Sequence, residues 1–189
     1  MSLKKRTSSK DRSELNSLRE TLDYWHTLFP LPYQDLITKN AADNNLNSFL
    51  VRGLIRQESG YESAIKSPVG ALGLMQIMPS TADWIANKLK TSTYSLINPN
   101  NNIKLGTWYL NYVSQQYRDD SLLAVASYNA GPGNVTKWLK TKSLSDHDVF
   151  VEEIPFKETK NYVESVLANY WNYLRLYNLK TANWLKKNK

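Results

Sequence analysis

Apolar residues in this chain recur at every third or fourth position and nowhere in a sustained alternation of two, and this spacing limits the fold more tightly than any other feature. From Asp43 onward Leu46, Leu50, Leu54 and Glu58 follow one another at i+4, with Phe49 beside them, so one helical face runs from leucines into a carboxylate. "NPNNNIKLGTWYLNYVSQQY" opens with Asn98 as a cap and Pro99 at the first helical position, then carries Ile103, Gly106, Leu110, Val113 and Tyr117 at spacings of three and four. "DDSLLAVASYNAGPGNV" reads as a short apolar helix that Gly131 and Pro132 must end. "TKNYVESVLANYWNYLRLYN" sets Tyr162, Val166, Tyr170, Tyr173 and Tyr177 on one face, where a tyrosine stripe reads as core. The two prolines of "TLFPLPYQDLI" call for an extended connector before the next helix. The fold class expected is all-α, and a small hairpin near residues 60–77 is the only strand-like element the pattern leaves room for.

Composition narrows the function. A length of 189 residues suits one domain with a sizeable core. Its expected organisation is a basic tail or cloning remnant over 1–20, a connector and docking segment over 21–40, a helical body over 41–180 and a basic tail over 181–189. The net charge of +7 favours a polyanionic partner: nucleic acid, an anionic membrane surface or an acidic wall polymer. The chain has no cysteine, which removes disulfides, thiolate metal sites and a cysteine nucleophile. His26 and His147 belong to no metal motif, so neither a metal nor a cofactor is expected. No apolar run approaches the roughly 20 residues of a membrane-spanning helix, so no integral membrane segment is expected. The basic residues are spread and enriched at the ends instead of interleaved with aromatics, which argues against nucleic acid.

Nucleotide and nucleophilic-serine motifs are missing: "GPGNV" lacks the lysine and preceding strand of a phosphate loop, and there is no nucleophile elbow. Carboxylate chemistry remains. A glutamate on an apolar face loses water around its charged form, and its pKa rises toward the range in which it delivers a proton at neutral pH. Glu58 fits a general acid, and the nearly uncharged "SPVGALGLMQIM" that follows it fits a wall of the same site. The ordinary structural readings are a boundary glutamate paired with Arg56 or Lys66, a flexible turn with glycines at positive φ, and a Tyr128–Asn129 pair satisfying buried carbonyls and a helix end.

Four segments taken together bring a family into view. "RQESGY", "SPVGALGLMQIMPSTA", "ASYNAGPGNV" and "VEEIPFKETKNYV" stand in the order and at about the spacing found in the catalytic domain of soluble lytic transglycosylases, the lysozyme-like enzymes that cleave bacterial peptidoglycan. The resemblance runs from about Phe29 to Tyr177. It makes the body over 41–180 a lysozyme-like catalytic domain. "LFPLPYQDLI" is similar to the segment that joins this domain to a helical superstructure in larger members, so an additional amino-terminal helical domain in the full-length protein is expected.

The resemblance implies a role for each matching residue. Glu58 matches the catalytic acid/base and Ser59 the serine after it; Ser67, Gly73, Gln76 and Met78 match the loop along which N-acetylated sugars lie. Tyr128 matches a tyrosine that hydrogen-bonds the catalytic glutamate, and Asn129 beside it joins the supporting set. Glu152 matches a glutamate in the cleft and Tyr162 the tyrosine of the motif that closes the groove. The chain departs from the pattern at Glu62 and Ser63, where Asn-Pro is common, and at Leu72, where a small residue is common. The implied reaction cleaves the bond between N-acetylmuramic acid and N-acetylglucosamine without water, leaves a 1,6-anhydro ring and uses Glu58 as the sole acid/base. Glycan strands are the implied partner, and the periplasm or cell envelope of a bacterium the implied location. The rival enzyme reading is a goose-type lysozyme, which hydrolyses with a similar glutamate; a wall-binding module without activity would leave Glu58 beside "YNAG" unexplained.

Overall fold

The computed structural model describes residues 20–141, 147–178 and 180–181, and among them it is built of helices joined by links, the longest of them between Ser59 and Pro79. They are α1 (residues 20–28), α2 (Gln34–Asp43), α3 (Ser48–Ser59), α4 (Pro79–Leu89), α5 (Pro99–Gln115), α6 (Ser121–Ala130), α7 (Pro132–Thr141), α8 (His147–Glu152) and α9 (Lys157–Tyr177). The fold is all-α, as the spacing predicts. Asn98 caps α5 by accepting from the Asn101 amide at 3.1 Å, with Pro99 in the first turn. Gly131, at φ 81°, ends α6. Pro132 then opens α7 instead of merely stopping what precedes it.

Two expectations are corrected. The periodic run beginning at Asp43 is broken, because α2 ends there and Asn47 starts α3 by accepting from the Phe49 amide at 2.9 Å. Leu46 therefore lies in a link, and the stripe on α3 is Leu50, Leu54 and Glu58. Pro30 and Leu31 lead into a turn at Pro32 and Tyr33, the latter at φ 52°, which hands the chain into α2. The hairpin near residues 60–77 is reduced to two isolated antiparallel bridges, Lys66 with Leu72 and Leu72 with Ile77. The tails lie outside the described residues, as does the side chain of His147.

The most extensive helix pair is α3 with α9. Gly53 permits it: a Cβ there would stand 2.8 Å from the Tyr170 amide nitrogen and 2.9 Å from the Val166 carbonyl oxygen, so any side chain would push the helices apart. Val51, Leu54 and Ile55 of α3 and Val163, Val166 and Tyr173 of α9 are buried at or near this seam. The core also takes in Ile37 of α2, Ile85 of α4, Ile103, Leu110 and Val113 of α5, Val125 and Ala126 of α6, and Leu74 and Met75 of the loop between α3 and α4. That loop is thus part of the core while also forming one wall of the site.

Candidate active site

Glu58 sits in the last turn of α3, which Gly60 terminates in the left-handed conformation at φ 57°. The termination sends Glu62 out to solvent. The carboxyl is partly buried, and its Oε1 accepts from the Tyr162 hydroxyl of α9 at 2.5 Å. Burial pushes the Glu58 pKa up to about 7, while the Tyr162 hydrogen bond, which favours the charged form, pulls it down. The carboxyl is therefore poised to exchange a proton near neutrality. It makes no ion pair with Arg56 or Lys66 among the described residues.

One depression contains Glu58, and a second lies on the Tyr128 side of the α6 end. One, of about 340 Å³, is lined by Glu58 and Tyr162 together with Gln57, Asn129, Glu158, Asn161 and Ser165, so apart from the tyrosine ring it is polar throughout. The other is a narrow slot of about 90 Å³ lined by Gln76, Ile77, Met78, Thr81, Tyr109 and Tyr128. Tyr128 and Asn129, neighbours at the end of α6, face one depression each. Thr159, buried on α9, donates to Asn129 Oδ1 at 2.7 Å and so fixes which way that amide turns.

The loop from Gly60 to Met78 is held, and the expectation of a pliant segment is corrected. Ser59 donates to the Leu74 carbonyl at 2.8 Å and accepts from the Tyr61 amide at 3.1 Å. Tyr128 donates to the Met75 carbonyl at 2.8 Å. Asn102 of α5, fully buried, accepts from the Met75 amide at 2.8 Å and donates to the Leu72 and Leu96 carbonyls at 2.9 and 2.8 Å. Gly73 lies at φ 77°, and a Cβ there would come within 2.1 Å of the Leu96 oxygen. Ser67 Oγ accepts from the Ala71 amide at 2.9 Å, and the Gln76 side chain, on a residue held at φ 45°, donates to the Gly73 carbonyl at 2.8 Å. Side chains from three helices thus clamp a stretch of backbone four residues long, from Leu72 to Met75.

Of the residues the sequence points to, Glu58, Asn129 and Tyr162 line the first depression, and Gln76, Met78 and Tyr128 line the second. Ser59, Ser67 and Gly73 build the wall from within. Two contacts differ from expectation. The hydroxyl that bonds Glu58 belongs to Tyr162, whereas Tyr128 bonds the Met75 carbonyl, although its pKa is raised by burial and by the Glu58 charge nearby. Glu152 is exposed, bonded to Lys160 Nζ at 2.5 Å, and lines neither depression; the carboxylate that shares the depression with Glu58 is Glu158. Sequence reasoning missed Glu158, Asn102 and Thr159. "KETKNY" and "NPNNNI" hold them in plain sight, but polar residues on amphipathic helices carry no mark of which will turn inward. Among the described residues no group of His, Cys, Asp and Glu could hold a metal ion, and no helix is long and apolar enough to cross a membrane.

Residues 35–151 match the family described as the transglycosylase SLT domain. The chain is 43% identical over 151 residues to the soluble lytic murein transglycosylase of Salmonella typhimurium, covering 77% of this chain and 23% of the relative. To the enzyme of that name from Escherichia coli K12 it is 42% identical over 160 residues, covering 82% and 25%. The 70-kDa soluble lytic transglycosylase from Escherichia coli superposes with a TM-score of 0.77 at 38% identity over 84% of this chain and 26% of that one. A complex of a 70-kDa soluble lytic transglycosylase with bulgecin A gives a TM-score of 0.79 at 39% identity, over 84% and 26%. The chain spans about a quarter of the length of these relatives.

Proposed function

The chain belongs to the transglycosylase SLT domain family, and from that premise we propose that it is a peptidoglycan lytic transglycosylase acting at the bacterial cell wall, in the periplasm or envelope. Glu58 is its acid/base. The neutral carboxyl protonates the oxygen bridging N-acetylmuramic acid to N-acetylglucosamine, the glycosidic bond breaks, and the N-acetylglucosamine side leaves as an alcohol. The 2-acetamido group supports the electron-poor anomeric carbon. Glu58, now a carboxylate, takes the proton of the muramoyl 6-hydroxyl as that oxygen closes on the anomeric carbon, so the enzyme returns to its starting protonation and no water is consumed. The observation that carries this reading is the Glu58 carboxyl itself: half-buried, raised to about 7 and held by a single hydroxyl, it can give and retake one proton at neutral pH. The clamped loop supplies an apolar wall with backbone amides close by, which suits a ligand that is part sugar face and part amide.

Glu58→Gln keeps the side chain's shape and removes the proton; turnover of purified sacculi is expected to fall by about 10²–10⁴, while glycan binding and the melting transition persist. Loss of the fold in this variant would instead assign Glu58 a structural role. A hydrolytic reading has one observation in its favour, namely Glu158 in the depression of Glu58, where a second carboxylate could activate water. Digestion in oxygen-18 water separates the two. The proposed reaction yields muropeptides ending in 1,6-anhydro-muramic acid without the isotope; reducing ends carrying the heavy oxygen would overturn it and make Glu158 the base.

A further inference from the structure

The amino-terminal half of α3 holds a charge that the proposed reaction does not use. Arg52, in the second turn of the helix, is only 2% exposed. Its Nη1 donates to the Pro32 carbonyl at 3.3 Å and its Nη2 to the Gln34 carbonyl at 3.4 Å, both beyond the usual N–H···O range of about 2.7–3.2 Å. A guanidinium presents five N–H donors in a planar fork, so two long bonds leave most of its capacity unused. It meets no carboxylate among the described residues. The hydroxyls of Tyr61, Tyr173 and Tyr177 are near enough to feel its charge, but burial raises the pKa of all three and keeps them neutral. A buried cation without a counter-ion is costly, and an anion that reached it would relieve that cost.

The guanidinium borders an opening through which an anion could come. A depression of about 250 Å³, where α2, α3 and the end of α9 meet, is lined by Arg52 together with Gln34, Thr38 and Ser48 on its polar side and Leu31, Phe49 and Tyr177 on its apolar side. It shares no lining residue with the depression of Glu58 or with the slot beside Tyr128. Arg52 is the one charged residue of the lining, so no carboxylate of the protein competes for it there. The Tyr177 hydroxyl is already committed to the Phe29 carbonyl at 2.7 Å, which leaves its ring to the depression. A volume below the roughly 300–1,000 Å³ of drug-sized sites calls for a small ligand. A phosphate would bring up to two negative charges to one guanidinium and leave the apolar side uncovered. A carboxylate matches the fork in charge and in shape. A short peptide behind that carboxylate would bring amides to Gln34, Thr38 and Ser48 and small side chains to Leu31 and Phe49.

We infer that the Arg52 pocket binds the C-terminal carboxylate of a short peptide, with the guanidinium fork on the carboxylate and the polar side of the lining on the peptide amides. The inference goes beyond the glycan-cleaving reading and does not depend on it, since the pocket and Glu58 lie at opposite ends of one helix.

Two peptides that differ in a single group test it: N-acetyl-alanyl-alanine and its C-terminal amide, titrated into the isotopically labelled protein and followed through backbone amide chemical shifts. The acid is expected to move Gln34, Thr38, Ser48 and Phe49 saturably and to leave Gln57 and Asn161, beside Glu58, in place. It is expected to bind at least about tenfold more tightly than the amide, a factor that corresponds to about 1.4 kcal/mol, the lower end of what a hydrogen bond to a charged group contributes. Arg52→Met is expected to abolish the preference for the acid. Because Arg52 also bonds the Pro32 and Gln34 carbonyls, a second variant leaves it untouched. Thr38→Glu, at an exposed position of α2, sets a negative charge at the pocket; it is expected to weaken the acid by about tenfold while amide binding and the melting transition persist. Equal affinity for acid and amide, a preference that survives Arg52→Met, an unaffected acid in Thr38→Glu, or no saturable shift with either peptide overturns the site. So do shifts centred on Gln57 and Asn161, which would place the peptide in the depression of Glu58. Acetate that binds as tightly as the dipeptide overturns the peptide as its ligand.

Discussion

At Glu58 two opposing effects set the proton affinity: burial raises it, and the Tyr162 hydroxyl, donating to the charged form, lowers it. Tyr162→Phe removes only the second effect. The high-pH limb of kcat/KM, placed near 7 by Glu58, is therefore expected to move to higher pH, while the plateau falls because the carboxyl loses its orienting partner; a limb that stays or moves down would show that Tyr162 does not tune the acid. Stability carries the same signature. Because the folded pKa lies above the ordinary 4.5, the native state holds a proton that the unfolded chain releases, and stability is lost as pH rises from 4.5 to about 7. Glu58→Gln is expected to match the parent below this window and to exceed it above by up to about 3 kcal/mol, read as a melting-temperature gain that appears only at higher pH. Glu58 was legible in the sequence because a carboxylate closing an apolar stripe is a local pattern. Which tyrosine reaches it was not: Tyr128 and Tyr162 are both buried near its charge, and the choice depends on how α6 and α9 lie against α3.

The loop between α3 and α4 takes its shape from residues outside it. The glycines and apolar residues of "GALGLMQIM" left both a hairpin and a pliant turn open; the loop keeps two isolated bridges of a hairpin, while Ser59, Tyr128 and Asn102 bond the backbone at Leu72, Leu74 and Met75. Asn102 is the largest contributor, and its side chain serves three backbone groups at once. Asn102→Ala strands these groups in a buried setting, where each unsatisfied one costs about 1–3 kcal/mol. A loss of at least about 2 kcal/mol is expected in chemical denaturation, with faster amide exchange at Met75 reporting the loosened wall; unchanged exchange there would remove Asn102 from the clamp. Helix boundaries were more readable than the loop. Pro99 and Gly131 act through their own backbone geometry and Asn98 caps directly before Pro99, whereas the equivalent cap at Asn47 is concealed by the leucine spacing that runs across it.

Across the whole molecule the all-α class was legible because helical spacing persists from α3 to α9, and the family was legible in four short segments. The Arg52 pocket was not, since Thr38 on α2, Arg52 on α3 and Tyr177 on α9 come to line one space only when those helices pack. The same dependence governs the acid and its hydroxyl partner, which are separated by 104 positions in the chain. A ribosome releases the amino-terminal part first. Until α9 follows, Glu58 lacks the hydroxyl that bonds it. In the proposed reaction the acid is therefore assembled only when α9 settles against α3 along the face that Gly53 leaves open.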